Sequence, residues 1–474
     1  MISLTYTPLF LLQLLSFVAA VPPTFVLHGH KRVRPRPRCT AYDACWPDRE
    51  TWEQFNDTIS GHLIASRPSA ASCHDPTYDD FQCKEVIANW TDSAWRTSQV
   101  GAYSAIVWEV GNGQCFPDTP RQQLCEQGLV AHVTVNTSRV EDIQASIRFA
   151  DVNNLYLTIK NTGHDHLGRS SGAGSFAIWT HNLKGRTWHD SFIPTNAPEA
   201  SHGIPAVTLQ AGEQWLDVYR DATAHGRIVV GGSARTVGAA GGYILGGGHS
   251  PWSYHYGLAA DNLLEMTTVS PTGEYATLNE YTDPDYFWAV RGGGGSAWGV
   301  VTSVTYKTHP LPSHVQVAFV QANTTSTETW RNAYAASLRA LPAMTDAGYT
   351  GYGSTTVGKV VQFIFLQPNG TDLDLERGLK GFDELMQMND TTGMSIGVGN
   401  FTLPSWEAYT DLFLTDPNIA TNIQDASRLL TPKVLSEKAD ALVDLALRYP
   451  DATPGHNFSK LSCFPRPSAS NHMY

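Results

Sequence analysis

The sequence predicts an α+β protein, and three observations carry that prediction. A helix signal leads through a short turn into a β-branched strand and a glycine loop between Ser138 and Ser170. Two further glycine clusters follow between Gly238 and Gly299. Beyond Pro312, strand and helix patterns alternate.

In chain order, residues 1–20 come first, with an apolar run from Leu9 to Val18 that ends in Val18-Ala19-Ala20, a small-residue cleavage site. This predicts a secretory signal peptide and a mature chain starting near Val21, with the chain's own amino group as the only charge before the run. The run is short for a membrane span, and no later stretch is long and apolar enough to be one, so no membrane partner is expected. Lys31-Arg32 and Arg34, Arg36 and Arg38, broken by Pro35 and Pro37, read as an exposed linker or a dibasic processing site. Residues 21–125 then form a cysteine-rich N-terminal region with Cys39, Cys45, Cys73, Cys83, Cys115 and Cys125, while Cys463 stands alone. In an exported chain these predict disulfides whose pairing stays open, and the lack of any Cys-x-x-Cys argues against zinc. Glycosylation sequons at Asn56, Asn89, Asn136, Asn323, Asn369, Asn389, Asn400 and Asn457 point to the same compartment.

The next helix has a readable start. Ser138 with Glu141 predicts a capping box, and Val140, Ile143, Ile147 and Ala150 recur at helical spacing. An Asn153-Asn154 turn leads into the strand Leu155 to Ile159, and the loop from Lys160 to Ser170 carries His164 and His166 between glycines. Such a loop can bring backbone N–H groups against a phosphate. The clusters from Gly238 to Gly248 and from Arg291 to Gly299 are too glycine-dense for ordinary strand or helix interiors. Three clusters in one region predict a large, phosphate-bearing ligand laid along the main chain, but neither the dinucleotide fingerprint nor the P-loop pattern occurs. Ile228 to Val230 and Leu263 to Val269 read as strands, with a turn at Pro271 to Glu274 leading into Tyr275 to Thr277. After Pro312, Val315 to Gln321 and Val360 to Leu366 read as strands, and Thr327 to Leu338 and Leu373 to Met388 as helices. Domain boundaries are therefore expected near Cys125 and Pro312.

These motifs together resemble a known family. Gly163-His164-Asp165 followed by Gly168-Arg169-Ser170, Thr236-Val237-Gly238 running into Gly241-Gly242, and Phe287 to Arg291 continuing through Gly299-Val300-Val301 resemble the berberine-bridge-enzyme-like oxidases, FAD flavoproteins of the vanillyl-alcohol-oxidase type. Cys45-Trp46-Pro47, Trp52 to Ile59 and Cys125 to Gly128 resemble its secreted fungal branch, typified by isoamyl alcohol oxidase, and the likeness covers residues 39–312. The resemblance implies a two-subdomain FAD-binding domain over 126–312. It also implies a sheet-and-helix substrate domain over 313–474, shortened at its C-terminus because the family's Tyr-x-Asn motif and returning segment are missing.

The resemblance further implies FAD bonded through its 8α-methyl to His164, with His166 packing or hydrogen-bonding nearby. Ala234 stands where many relatives carry a second-link cysteine, so a single link and a less strongly oxidising flavin are expected. Asn161, Thr162, Gly163, Asp165, Gly168, Arg169 and Ser170 would cradle the pyrophosphate. Thr236, Gly238, Gly241 and Gly242 would run beside flavin and pyrophosphate, and Gly299, Val300 and Val301 beside the adenosine end. The implied reaction takes hydride from a small-molecule alcohol, amine or related C–H centre, as in secondary metabolism, and passes the electrons to O2 to give H2O2. No catalytic base is assigned: Tyr349, Tyr352 and Gln362 fall in or beside strands and read as packing or surface residues.

Other classes fare worse. A net charge of −12 argues against nucleic acid as a partner. A metal-dependent hydrolase using His164 and His166 would lack a third ligand at helical spacing, so no metal is expected. A secreted glycan-binding protein would leave the glycine clusters unexplained. The shortened end keeps in play a family member that binds flavin without activity. Oligomeric state has no signal in the sequence.

Overall fold

A computed structural model describes residues 37–295, 297–389, 393–416, 419–421 and 428–449, together with the backbone of 455–458. The expected signal peptide, residues 31–36 of the basic linker and Cys463 lie outside the described residues. From Cys39 onward the chain is one compact unit.

Its cysteine-rich part is closed by three local disulfides, Cys39–Cys45, Cys73–Cys83 and Cys115–Cys125. The helix Arg49–Thr58 starts on Asp48, whose carboxylate accepts the Thr51 N–H at 2.9 Å. Its Trp52 and Phe55 pack against Phe149 and Phe176, which anchors the region on the first sheet.

That sheet has four strands in the order Leu63–Ala65, Val133–Asn136, Phe176–Trp179, Leu157–Lys160, and its last three strands run parallel. The helix Val140–Val152 makes the crossover and buries Ile143, Ile147 and Ala150, the expected apolar stripe. Its start differs from the expected capping box. Arg139 is the N-cap and makes no side-chain cap bond. Instead Arg139 pairs with Asp142 at 2.7 Å, and the buried Asp142 also meets His62 at 3.1 Å. The acidic side chains of Glu141 and Asp142 in the first turn favour the helix N-terminus through its dipole, without capping a backbone N–H.

The second sheet is antiparallel, in the order Arg186–Phe192, Ile204–Gln210, Val300–Lys307, Leu263–Val269, Tyr275–Leu278. Helix Trp215–Ala224 buries Trp215, Val218 and Tyr219 in the same core as Val207, Leu209 and Val304. The run at Ile228 to Val230 is only partly strand. Arg227–Ile228 pairs with His309–Pro310, while Val229 and Val230 are fully buried core residues outside any ladder. A short apolar run fits either role, and here core packing decides it.

The third sheet is antiparallel, in the order Met394–Leu403, Val315–Thr324, Val360–Pro368, Thr350–Thr356, Gly455–Phe458. Helix Thr327–Asp346, capped by Ser326, covers one face and packs Trp330, Leu338 and Met344 against Val320, Phe363 and Phe365. The expected helix at Leu373 to Met388 is broken into Asp372–Leu379 and Asp383–Met386 by a 3-10 turn at Lys380–Phe382. There Gly381 presses on the long helix, and a Cβ at that position would come within 2.6 Å of the Ala343 Cβ. On the opposite face Val315, Val317, Leu366 and Leu403 join the core of the second sheet. No described helix is long and apolar enough to cross a membrane.

Candidate functional site

Where the parallel strand Leu157–Lys160 ends, the chain turns into a loop that needs backbone conformations L-residues avoid. Gly163 has φ +82° and Gly168 has φ +73°. Asp165 closes the loop on itself by accepting the Arg169 backbone N–H at 2.5 Å and the Arg169 Nη2 at 2.7 Å. Burial opposes the charge on Asp165, but the hydrogen bonds and charge of Arg169 hold its carboxyl below the usual range. From beneath, the Gly163 carbonyl accepts the Ser104 N–H at 3.0 Å and the Ser170 carbonyl accepts the Tyr103 hydroxyl at 3.1 Å.

This loop forms one wall of a cavity of about 360 Å³. Asn161, Thr162, Gly163, His164, Asp165, Arg169 and Ser170 line it, joined by Gly238, Gly241 and Gly242 from the second glycine cluster and by Gly299 and Val301 from the third. Leu167, Tyr243 and Leu245 complete an apolar rim. Three expected site residues lie off the wall. Gly168 packs under the Trp108 indole, which would overlap any side chain placed there. Val300 faces away from Val301 into a core with Ile143, Ile147 and Val269. Thr236 stands behind His164, with its Oγ1 2.7 Å from the imidazole Nε2.

The wall chemistry fits a dinucleotide. Gly241 has φ +71°, and a Cβ on Gly242 would meet no protein atom within 4 Å, so the main chain there is bare toward open space. A Cβ on Gly238 would come within 2.7 Å of Asn161 Nδ2. The Asn161 Oδ1 and Ser170 Oγ atoms are shut off from solvent and have no hydrogen-bond partner among the described residues. Buried polar atoms are rarely left unmatched, so a ligand with complementary groups is expected between them. Burial lowers the His164 pKa to about 4, with nearby Asp416 acting against the shift and His166 adding to it. The imidazole is therefore neutral across the physiological range.

Asp416 is a residue that sequence reading did not find. Its carboxylate accepts the Ser93 hydroxyl at 2.6 Å and the Thr236 N–H at 3.3 Å. It lies in an irregular segment with no periodic pattern, so only the fold brings it near. The structure also separates the tyrosines considered on the substrate side. Tyr349 is buried and donates to Gln316 Oε1 at 2.6 Å, a core contact, and Gln362 is exposed and bonds Ser354 at 2.9 Å. Tyr352 instead points its phenol at the loop before Thr236. Burial raises its pKa to about 12 and Ser233 opposes the rise, although the hydroxyl completes no hydrogen bond among the described residues. Strand Thr350–Thr356 carries two glycines, which left its bounds unreadable in the sequence.

The model of the FAD-binding-domain family matches residues 131–279. An uncharacterized FAD-linked oxidoreductase of Arthroderma benhamiae is 54% identical over 426 residues, which cover 89% of this chain and 75% of the relative. The FAD-linked oxidoreductase asqF of Emericella nidulans is 39% identical over 69% of this chain, which spans only 58% of that protein's length. Among solved structures, the VAO-type flavoprotein MtVAO615 of Myceliophthora thermophila C1 superposes with a TM-score of 0.80 at 29% identity, over 92% of this chain and 80% of its own. Fold, wall chemistry and sequence identity agree, and the chain belongs to the FAD-linked oxidoreductases, with the fold of the VAO-type flavoproteins.

Proposed function

We propose that this oxidoreductase is secreted, carries FAD bonded to His164, and oxidises a small-molecule alcohol, amine or related C–H centre with O2 as electron acceptor. The observation that supports this reading best is His164 itself, a neutral imidazole in the cavity wall whose Nε2 is engaged by Thr236. Bound FAD supplies two-electron chemistry that no side chain offers. The protein's part is to bind and orient. Asn161 Oδ1 and Ser170 Oγ offer hydrogen bonds to the cofactor, and the glycines admit it close to the main chain. Burial keeps the Tyr352 phenol protonated beside Ser233. Three disulfides within the first third of the chain suit an oxidising compartment. The setting in secondary metabolism belongs to the same proposal.

The test is acid precipitation of the expressed mature chain. Flavin fluorescence should remain with the protein, leave in the His164→Ala variant and stay in the His166→Ala variant. Covalent flavin surviving in His164→Ala would overturn the assignment. Peroxide release on a panel of alcohols and amines then tests the reaction class.

A further inference from the structure

We propose that Thr236, backed by Asp416, is the positioning residue that readies His164 for its bond to the flavin. The inference rests on the attachment reading above and gives Thr236 a further role and Asp416 its first.

An imidazole attacks through a nitrogen lone pair, so the other ring nitrogen must carry the proton. Thr236 Oγ1 lies 2.7 Å from His164 Nε2, which leaves Nδ1 as the nitrogen not engaged by the threonine. A hydroxyl in that place accepts from Nε2–H and so presents the Nδ1 lone pair. As Nδ1 bonds to carbon, the ring becomes an imidazolium in surroundings that disfavour the charge. Asp416 then supplies the opposite charge, since its carboxylate already holds the Thr236 N–H and the Ser93 hydroxyl. Once the Nε2 proton has left, the same threonine hydroxyl turns and donates to the Nε2 lone pair. One rotatable O–H therefore matches every stage, which a methyl group cannot do.

Described residues before and after Asp416 are tied to the site. Arg235 Nε donates to the Leu414 carbonyl at 2.6 Å, and further on Ala420 N–H reaches the Ser104 carbonyl at 2.9 Å. Ser104 is the residue that supports Gly163 next to His164.

The step balances as follows. The Nδ1–C8α bond forms, one 8α C–H bond breaks, and two protons leave, one from that carbon and one from Nε2. The two electrons released pass through the flavin to dioxygen, which takes up two protons and becomes hydrogen peroxide.

Full-length protein from riboflavin-limited cells, incubated with FAD in air, tests this by the growth of flavin fluorescence in denaturing gels. Thr236→Val should slow covalent incorporation at least about tenfold while still quenching free FAD on binding, and Thr236→Ser should restore the rate. Asp416→Asn should also slow it, because the amide leaves the imidazolium without an opposing charge. Thr236→Val incorporating FAD at the wild-type rate overturns the proposal. Should Thr236→Val fail to bind FAD, Asp416→Asn decides, and an unchanged rate there overturns it equally. A wild-type chain that binds FAD without bonding it overturns the attachment reading itself, whereas a bonded wild type beside an equally fast Thr236→Val variant removes only the role of Thr236.

Discussion

Gly168 illustrates how one residue can matter to the cofactor loop without touching the cavity. Its φ of +73° is strained for any L side chain, and the Trp108 ring occupies the space a Cβ would need. Trp108 in turn donates its indole N–H to the His166 carbonyl at 3.1 Å, so displacing the ring would shift the histidine loop. Gly168→Ala should cost about 1–3 kcal/mol of stability, measured by chemical denaturation, from positive-φ strain and overpacking together. A variant as stable as the wild type would show that the loop adapts freely. At this scale the sequence exposed what is local. His164 and the loop glycines announce themselves because backbone conformation and ligand approach demand glycine within a few positions. Asp416 was hidden and Tyr352 read only as a packing or surface residue, because their place beside Thr236 and Ser233 depends on tertiary contacts that no short pattern encodes.

Among elements, the support under the cofactor loop comes from the cysteine-rich part. Glu109 is fully buried and accepts from Arg96 Nη2 at 2.5 Å, from the Ser69 N–H at 2.8 Å and from the Tyr103 N–H at 3.3 Å. Arg96 also donates to the Tyr103 carbonyl at 2.9 Å. Tyr103 and Ser104 are the residues that hold Ser170 and Gly163. Removing one partner strands the other charge in the interior, so Glu109→Ala should destabilise by about 3–5 kcal/mol and lower FAD incorporation. Denaturant midpoints and bound-flavin content would check both, and a loss confined to the exposed surface-pair range of under about 1 kcal/mol would refute the argument. The strand Leu263–Val269 was readable to the residue because its β-branched end, Thr267-Thr268-Val269, and a following turn agree. The break after Leu379 was not, since it arises where Gly381 meets a helix distant in sequence.

For the molecule as a whole, the buried histidines set a pH dependence. Burial holds His181, His255 and His309 at about 4, against an ordinary value of 6.5. Each is neutral in the native state and would take a proton more readily when unfolded. The stability tied to these neutral forms is complete above about pH 6.5 and drains away as pH falls toward 4. At about 1.4 kcal/mol per unit of displacement, the three sum to several kcal/mol. Melting temperature should therefore drop steeply between pH 6.5 and 4, and His309→Gln should flatten part of that slope. A level profile would contradict the burial of these rings.

The sheet that presents Tyr352 and the sheet beside the cofactor loops share one interior, with Val317, Leu366 and Trp406 packed among Met266, Tyr306 and Trp252. Prising them apart would wet that whole apolar seam, so neither half can swing like a jaw during turnover. Any opening of the cavity would therefore have to come from loops and side chains, not from the two sheets parting.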